Sequence, residues 1–581
     1  GGGNGGLITE ITDESEANIL RDTAFYTLDF KANKSPVGIT VVDPLKIRDT
    51  EWTLKIIPGN RAANGNRVDS STWVLSENAV NPVRPYTSKG SLSLGSEQLI
   101  LEEGLSVNIV QRPYFQEGTN LKTNFLLGEM IFSNPFDAWL SGVPDRDGES
   151  AQNWIHSGLN VDGSQGKSDR KSNADFNQMY EGVLGGTWTP YALVADSIGT
   201  FITYDQSESA IINREVEIAR TTACDVVFTS DKSKWTRCPV IEAQDDPGLA
   251  EGGVARGRLR AGLSVDKNGL NINQGGNADE CNLVSGTGMG WFPGYAINPE
   301  SGERLNMAFS EDSWLTGENG KDMIWNPTSN INALNGEYVA GGKHFIIVFK
   351  TNRAIATSAA NTVPYYDNGA TITNMLKTGA KATINRAWRA ANWVGLPLLA
   401  PGSSFKTMAD GFITSDVRVK LRVSKEYEPL PVGKGATFAD SANADSINNF
   451  FPMYYVKAAG FAPTKGDISV AKDALSLVRA VPNPYYGYSG AYDEGRLDNK
   501  IKITNLPSTC TISIYTVDGT LVRKLEKDAS NKSTSVEWNL KTFSNLPCAS
   551  GAYIIHVNAP GVGEKVIKWF GVMRQVDLQN L

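Results

Sequence analysis

The run Val417-Arg418-Val419-Lys420-Leu421-Arg422-Val423 alternates apolar and basic side chains without a break. Successive strand residues point to opposite faces, whereas helix faces recur every three to four residues, so this pattern admits a strand and little else. It predicts one apolar face on a core and one basic face, read as solvated. The same alternation appears in Glu51-Trp52-Thr53-Leu54-Lys55-Ile56, and again at Thr72 to Leu75, Ser91 to Leu94 and Leu105 to Val110, with Gly, Asn and Pro between. Short strands at such spacing predict a β-sandwich over 21–133.

At 581 residues the chain exceeds what one hydrophobic core organises, and about 150 residues per domain predicts several domains. The 57 glycines and 26 prolines, beside 40% hydrophobic and 20% charged residues, describe an ordered, turn-rich chain of the all-β class. A formal charge of −8 with no Lys/Arg block excludes the phosphate-neutralising surface of a nucleic-acid binder. No apolar run is long enough for a spanning helix, and the lipid-facing alternation of a membrane barrel does not recur, so no membrane insertion is expected. The opening Gly1-Gly2-Gly3-Asn4-Gly5-Gly6 predicts a flexible linker over 1–20, continuing from a longer precursor.

From Asn134 onward the sequence is loop-rich and aromatic, as in Asn134-Pro135-Phe136-Asp137-Ala138-Trp139, Gly185-Gly186-Thr187-Trp188 and Gly288-Met289-Gly290-Trp291-Phe292-Pro293. Tryptophan beside Gly and Pro pins irregular backbone by burying a large ring, or forms an exposed binding platform. Buried strands are expected at Val226 to Thr229 and His344 to Phe349. Leu376 to Trp393 reads as helix from its Ala, Lys and Arg content or as strand and turn from its tryptophans. This loop-rich central β region is expected over 134–474, with a split near 350.

Beyond it, Val481-Pro482-Asn483-Pro484-Tyr485-Tyr486 is an extended entry, because proline lacks the N–H and the φ freedom that a helix interior needs. Strands are expected at Lys500 to Thr504, Thr511 to Val517, Leu521 to Leu525, Ser535 to Leu540, Tyr553 to Val557 and Lys565 to Phe570. Asp518-Gly519 supplies a hairpin turn. Seven short strands in this length predict an Ig-like sandwich over 475–581.

The entry motif Pro482-Asn483-Pro484, the segments Ile501 to Pro507 and Ile514 to Arg523, then Gly551-Ala552-Tyr553 and Lys565-Val566-Ile567-Lys568, together resemble the C-terminal target domain of type IX secretion substrates. That domain is similar to the Ig-like domain of flagellar hook-capping proteins. The resemblance implies a sorting signal carried by Pro482, Asn483, Pro484, Asp518, Gly519, Gly551, Tyr553, Lys565, Val566 and Lys568. It implies as partners the type IX outer-membrane shuttle and translocon, and as location the extracellular cell surface of a member of the Bacteroidota. The family's short form ends at the Lys-Val-like strand; here Trp569 to Leu581 continue, which implies a domain kept in the mature protein. Thr229 to Pro239, Gly290 to Asn298 and Asp322-Met323-Ile324-Trp325-Asn326-Pro327 also resemble the C-terminal halves of very large, uncharacterised Bacteroidota surface proteins.

Chemistry is sparse. The three histidines, His156, His344 and His556, accompany no nucleophile elbow and no zinc-helix motif, and two of them sit in expected strands. The adjacent acids Asp245-Asp246 and Glu311-Asp312 would point to opposite strand faces, so adjacency does not make a glycosidase pair. No cofactor is certain. Calcium is the cation for which loops exist: Asp145, Asp147 and Glu149 alternate around Gly148, and Asp266-Lys267-Asn268-Gly269 and Asn160-Val161-Asp162-Gly163 are weaker versions that equally read as Asx turns. Five cysteines allow two disulfides, Cys224 with Cys238 and Cys510 with Cys548, or free buried thiols. The leading functional expectation is a structural or adhesive surface protein, exported and displayed with other copies or other surface proteins. The alternative is a glycan-binding or glycan-degrading protein using the aromatic loops between Trp139 and Trp325.

Overall fold

The computed structural model describes residues 9–22, 27–48, 50–57, 71–79, 82, 84–92, 97–109, 126–141, 156–157, 184, 187–191, 194–195, 221–329, 333–334, 337–338, 340–351, 363–399, 405–424, 427, 448, 451–458, 468–487, 499–531 and 533–573. It is an all-β protein with a few short helices. The chain forms two compact units, Gly1–Pro36 with Arg112–Pro452, and Val37–Gln111 with Met453–Leu581. These units do not follow the serial boundaries expected from the sequence.

In the first unit, an antiparallel sheet has the order Glu303–Leu305, Gly294–Asn298, Cys224–Phe228, Val417–Val423, Leu126–Phe132. A six-stranded sheet has the order Trp188–Pro190, Ala391–Gly395, Ile346–Phe349, Met307–Glu311, Thr236–Glu242, Met289–Phe292. One side of each sheet meets in a common core that contains Phe228, Phe292, Trp325, Val419 and Phe309. The other side of the six-stranded sheet is covered by helices Ala370–Lys377 and Lys381–Arg389, through Ile372, Ile384 and Trp388 against Ile347 and Val394. Helix Asp13–Asp22 covers the other side of the five-stranded sheet, with Ile19 among Val227, Tyr295 and Ile297. The layers therefore run helix, sheet, sheet, helix, and the inner strands are buried on both faces.

This layering corrects two expectations. Residues 13–22 are a docked helix rather than linker, with acids in its first turn where the helix dipole favours them and Ile19 fully buried. The basic face of Val417–Val423 is not solvated. Arg418 Nη2 donates to both carboxylate oxygens of Glu16 at 2.7 Å and Nη1 to Asp225 at 2.9 Å, Lys420 pairs with Glu10 at 3.0 Å, and Arg422 donates to Asp225 and to the carbonyl of Thr9. A helix laid over that face removes the water, so each cation needs an anion in its place. The two readings of 376–393 each hold in part, since helix Lys381–Arg389 runs directly into strand Ala391–Gly395.

In the second unit, the strand Glu51–Ile57 pairs with Thr72–Glu77 on one side and, far along the chain, with Met453–Lys457 on the other. A smaller sheet joins Val37–Val41, Leu105–Ile109 and Gln98–Ile100. Ser91 and Leu92 belong to no strand. The last hundred residues fold as a two-sheet sandwich. One sheet holds Arg479–Val481, Ile501–Thr504 and Val536–Trp538; the other has the order Tyr485–Tyr486, Gly563–Val572, Gly551–Ala559, Cys510–Thr516, Leu521–Lys527. Between them lies one apolar core with Trp538 and Trp569 at its centre, both fully buried. This is the strand order of an Ig-like sandwich whose first strand divides between the sheets.

Candidate functional site

Of the segments that carry the sorting-domain resemblance, Ile501–Thr504 lies in the three-stranded sheet, and the rest occupy the five-stranded sheet and its entry. Pro482, Asn483 and Pro484 lie between the strands Arg479–Val481 and Tyr485–Tyr486, so they are the step from one sheet to the other. Proline cannot extend a ladder, which is why the strand changes sheets there. Asn483 replaces the missing ladder bonds with its side chain: its amide donates to Lys568 O at 2.8 Å and its carbonyl accepts from Phe570 N at 3.1 Å. Between these two residues Trp569 turns inward, and its Nε1 donates to Pro482 O at 2.9 Å. Tyr553 is buried, and its hydroxyl donates to Ala549 O at 2.7 Å, a corner-type bond that fixes the approach to its strand. Asp518 and Gly519 form the expected turn, with Gly519 at φ +88°. Gly551 opens its strand. Lys565, Val566 and Lys568 lie on the adjacent edge-ward strand, and Val566 and Lys568 face outward with Phe570 and Val572.

Other expected sites fare differently. Asp145, Asp147 and Glu149 lie outside the described residues, as do Asn160 to Gly163. Asp266 spends its carboxylate on the backbone N–H groups of Asn268, Leu270 and Asn277, at 2.8, 3.0 and 3.0 Å, which is an Asx turn and not a cation loop. All five cysteines are free, buried thiols, so neither disulfide is formed; Cys224, Cys238, Cys510 and Cys548 pack as small apolar side chains in the cores, and the Cys281 thiol donates to Leu270 O. Trp188, Trp291 and Trp325 are 1%, 4% and 0% exposed, which removes them as a sugar platform. His556 makes a cross-strand bond to Glu564 at 2.9 Å. Asp245 pairs with Arg256 at the surface, and Asp312 with Gln244 and Lys343.

The structure brings together a set that alternation and spacing did not reveal. Glu311 ends the strand Met307–Glu311 and is fully buried. Its Oε1 accepts from Met323 N at 2.6 Å and its Oε2 from Arg260 Nη1 at 2.8 Å. Arg260, itself buried, also pairs with Glu242 at 3.2 Å and Glu251 at 2.6 Å. The side chain of Asp322 hydrogen-bonds Glu311, and two carboxyls in contact cannot both ionise. Burial pushes Asp322 up to about 7 and Glu311 well above the carboxylate range. Glu311 accepts N–H bonds from Met323 and Arg260, and the contact with Asp322 keeps a proton between the two carboxyls.

His344 adjoins this pair. Its Nδ1 accepts from Asn326 N and its Nε2 bonds Asn319 O, both at 2.9 Å. A carbonyl only accepts, so Nε2 carries the hydrogen and the ring is neutral, with burial lowering its pKa to about 3. Ligand atoms of Glu311, Asp322 and His344 lie within 4.8 Å of one another, yet both ring nitrogens are engaged, and the set reads as a hydrogen-bonded charge network. Asp322 also lines a cavity of about 570 Å³, together with Glu251, Lys321, Asn319, Leu263 and Phe405. In the sequence, the trace of this site is that Asp322 opens the block Asp322 to Pro327.

Among the described residues no helix is long and apolar enough to cross a membrane. No family model and no curated protein matches the chain. Solved structures that are similar in part include two proteins of Porphyromonas gingivalis. PorZ, an essential bacterial surface component of the type IX secretion system, aligns over 18% of this chain and 12% of its own at 26% identity and TM-score 0.15. Dimeric latent PorU aligns over 29% of this chain and 14% of its own at 18% identity and TM-score 0.13. The matched parts are thus a small fraction of either protein, and at these TM-scores the likeness carries neither fold nor role.

Proposed function

We propose that the chain is a type IX export substrate displayed at the cell surface as a structural or adhesive component, with the C-terminal sandwich as its export module. The observation that supports this reading is convergence. Asn483 is hydrogen-bonded to the strand that bears Lys565, Val566 and Lys568, and that strand pairs with the one bearing Gly551 and Tyr553. Asn483, Gly551, Tyr553, Lys565, Val566 and Lys568 therefore meet on one sheet, of which Val566 and Lys568 offer a solvated face while Tyr553 and Trp569 hold the core. An export machine that recognises a folded domain requires this division between framing and presenting residues.

The test separates presentation from folding. The double variant Val566→Asp with Lys568→Glu alters exposed positions and leaves the core intact, so stability should change by no more than about 0.5 kcal/mol. Surface display, measured by protease shaving of intact cells of a type IX-competent host, should fall sharply. Normal display of this variant, in a protein still folded by circular dichroism, refutes the reading.

A further inference from the structure

We propose that the cavity of about 570 Å³ beside Asp322 is a binding site for a neutral, hydroxyl-rich ligand of the saccharide class. The inference is independent of the export reading, which rests on the other unit. Glu251 pairs with Lys321 at 3.0 Å and with Arg260 at 2.6 Å, and Arg260 also serves Glu242 and Glu311, so neither cation is left over for a ligand. Asp322 is in contact with Glu311, and the two carboxyls hold a proton between them. A lining whose one lysine is already held by a carboxylate offers no free cation to a phosphate.

Shape and polarity narrow the class further. Leu263 and Phe405 give apolar surface, and Gln274 and Thr316 add an amide and a hydroxyl to the lining, which is the mixed surface that sugar rings present in return. Among the described residues the lining contains no ladder strand, and Leu263, Val265 and Asn271 make only isolated bridges, so the lining presents no continuous sheet edge for a peptide to extend. Hydrolysis is not implied, because both oxygens of Glu251 are held by cations and the cavity offers no second free carboxylate to act as base or nucleophile.

The full chain is tested by saturation-transfer NMR against maltose, cellobiose and N,N′-diacetylchitobiose at about 10 mM each, weak sugar sites having Kd values near this range. At least one should give transfer. Gly317 lines the cavity with open space around its Cα, and no atom meets an added Cβ within 4 Å, so Gly317→Trp fills the site without disturbing the fold. It should abolish the signal while leaving thermal unfolding unchanged. Asp322→Leu, which removes the shared hydrogen bond, should weaken binding about tenfold, and Asp322→Asn, which keeps a donor, should stay within about threefold. No transfer from any of the three sugars, or transfer that persists in Gly317→Trp, overturns the assignment.

Discussion

The strand Gly551–Ala559 of the C-terminal sandwich buries Tyr553, Ile555, Val557 and Ala559 and turns the alternate residues outward, whereas the strand Thr236–Glu242 of the central unit buries all of its residues, Arg237 and Glu242 among them. The first has a core on one side only. The second lies between a facing sheet and a pair of helices, so its polar side chains have no water to reach and must be satisfied inside. Arg237 shows how: its guanidinium donates to the carbonyls of Leu283, Val265 and Cys281 and sits 5.3 Å from the Trp291 ring, and burial lowers its pKa to about 10. A one-sided core can be apolar throughout. A two-sided one fixes its geometry partly with charge, and its stability then depends on the partners staying complete.

The sharpest test of that contrast is Arg260→Leu. It strands Glu242 and Glu311 without a counter-charge in a dry interior and should cost about 5 kcal/mol, the upper range for a broken buried pair. Urea unfolding followed by tryptophan fluorescence should show the central unit lost first. A cost below about 1 kcal/mol would mean that the network contributes little. The matching change in the sandwich, Trp569→Ala, leaves a cavity among Tyr485, Trp538 and Tyr553 and should cost about 4 kcal/mol through packing alone, at any pH.

The pH dependence separates the two regions next. Glu303 in the central unit is fully buried, accepts from Ser301 at 2.7 Å, and is pushed up to about 7 by burial, alongside the raised Glu311 and Asp322 pair. A carboxyl whose folded pKa is raised contributes stability that is complete below its unfolded value near 4.5 and lost as pH climbs through 7. His344, lowered to about 3, works the other way below 6.5, but it stands alone against Glu303 and the proton held by the Glu311 and Asp322 pair. The central unit should therefore unfold at lower urea at about pH 8 than at about pH 5.5, and Glu303→Gln should reduce that difference by about 1 to 3 kcal/mol. A flat profile would contradict the raised carboxyls.

The same contrast explains what was legible. In the sandwich, alternation located the strands to within a few residues: Thr511 to Val517 was expected and Cys510–Thr516 is found, and the Asp518-Gly519 turn falls where its chemistry requires. In Val417–Val423 alternation gave the strand but not the fate of its basic face, because a helix some 400 positions away in sequence supplies Glu16. The Glu311 and Asp322 pair was harder still. Its members come from a strand end and a turn, and no period relates them; Glu311 drew notice only beside Asp312, which points elsewhere, to Gln244 and Lys343. The tryptophans beside Gly and Pro fit either burial or display until packing partners were known, and Trp325 inserts among Phe228, Phe292 and Phe412.

The smallest effect is expected at Asn483, where the sandwich itself departs from apolar packing. Its side chain makes one donated and one accepted bond to the strand Gly563–Val572 and stands in for a ladder residue between two prolines. Both bonds are solvent-exposed, so water can replace them in part, and Asn483→Ala should cost about 1 kcal/mol. Asn483→Asp keeps the acceptor for Phe570 N but loses the donor to Lys568 O and sets a carboxylate against that carbonyl, so it should cost at least as much. Hydrogen exchange is the discriminating measurement, because only Phe570 N loses a partner in the alanine variant. Faster exchange at Phe570 with unchanged protection at Ile555 would show a local strap; equal loss at both would mean that Asn483 holds the whole sheet together, and the division between framing and presenting residues would have to be redrawn.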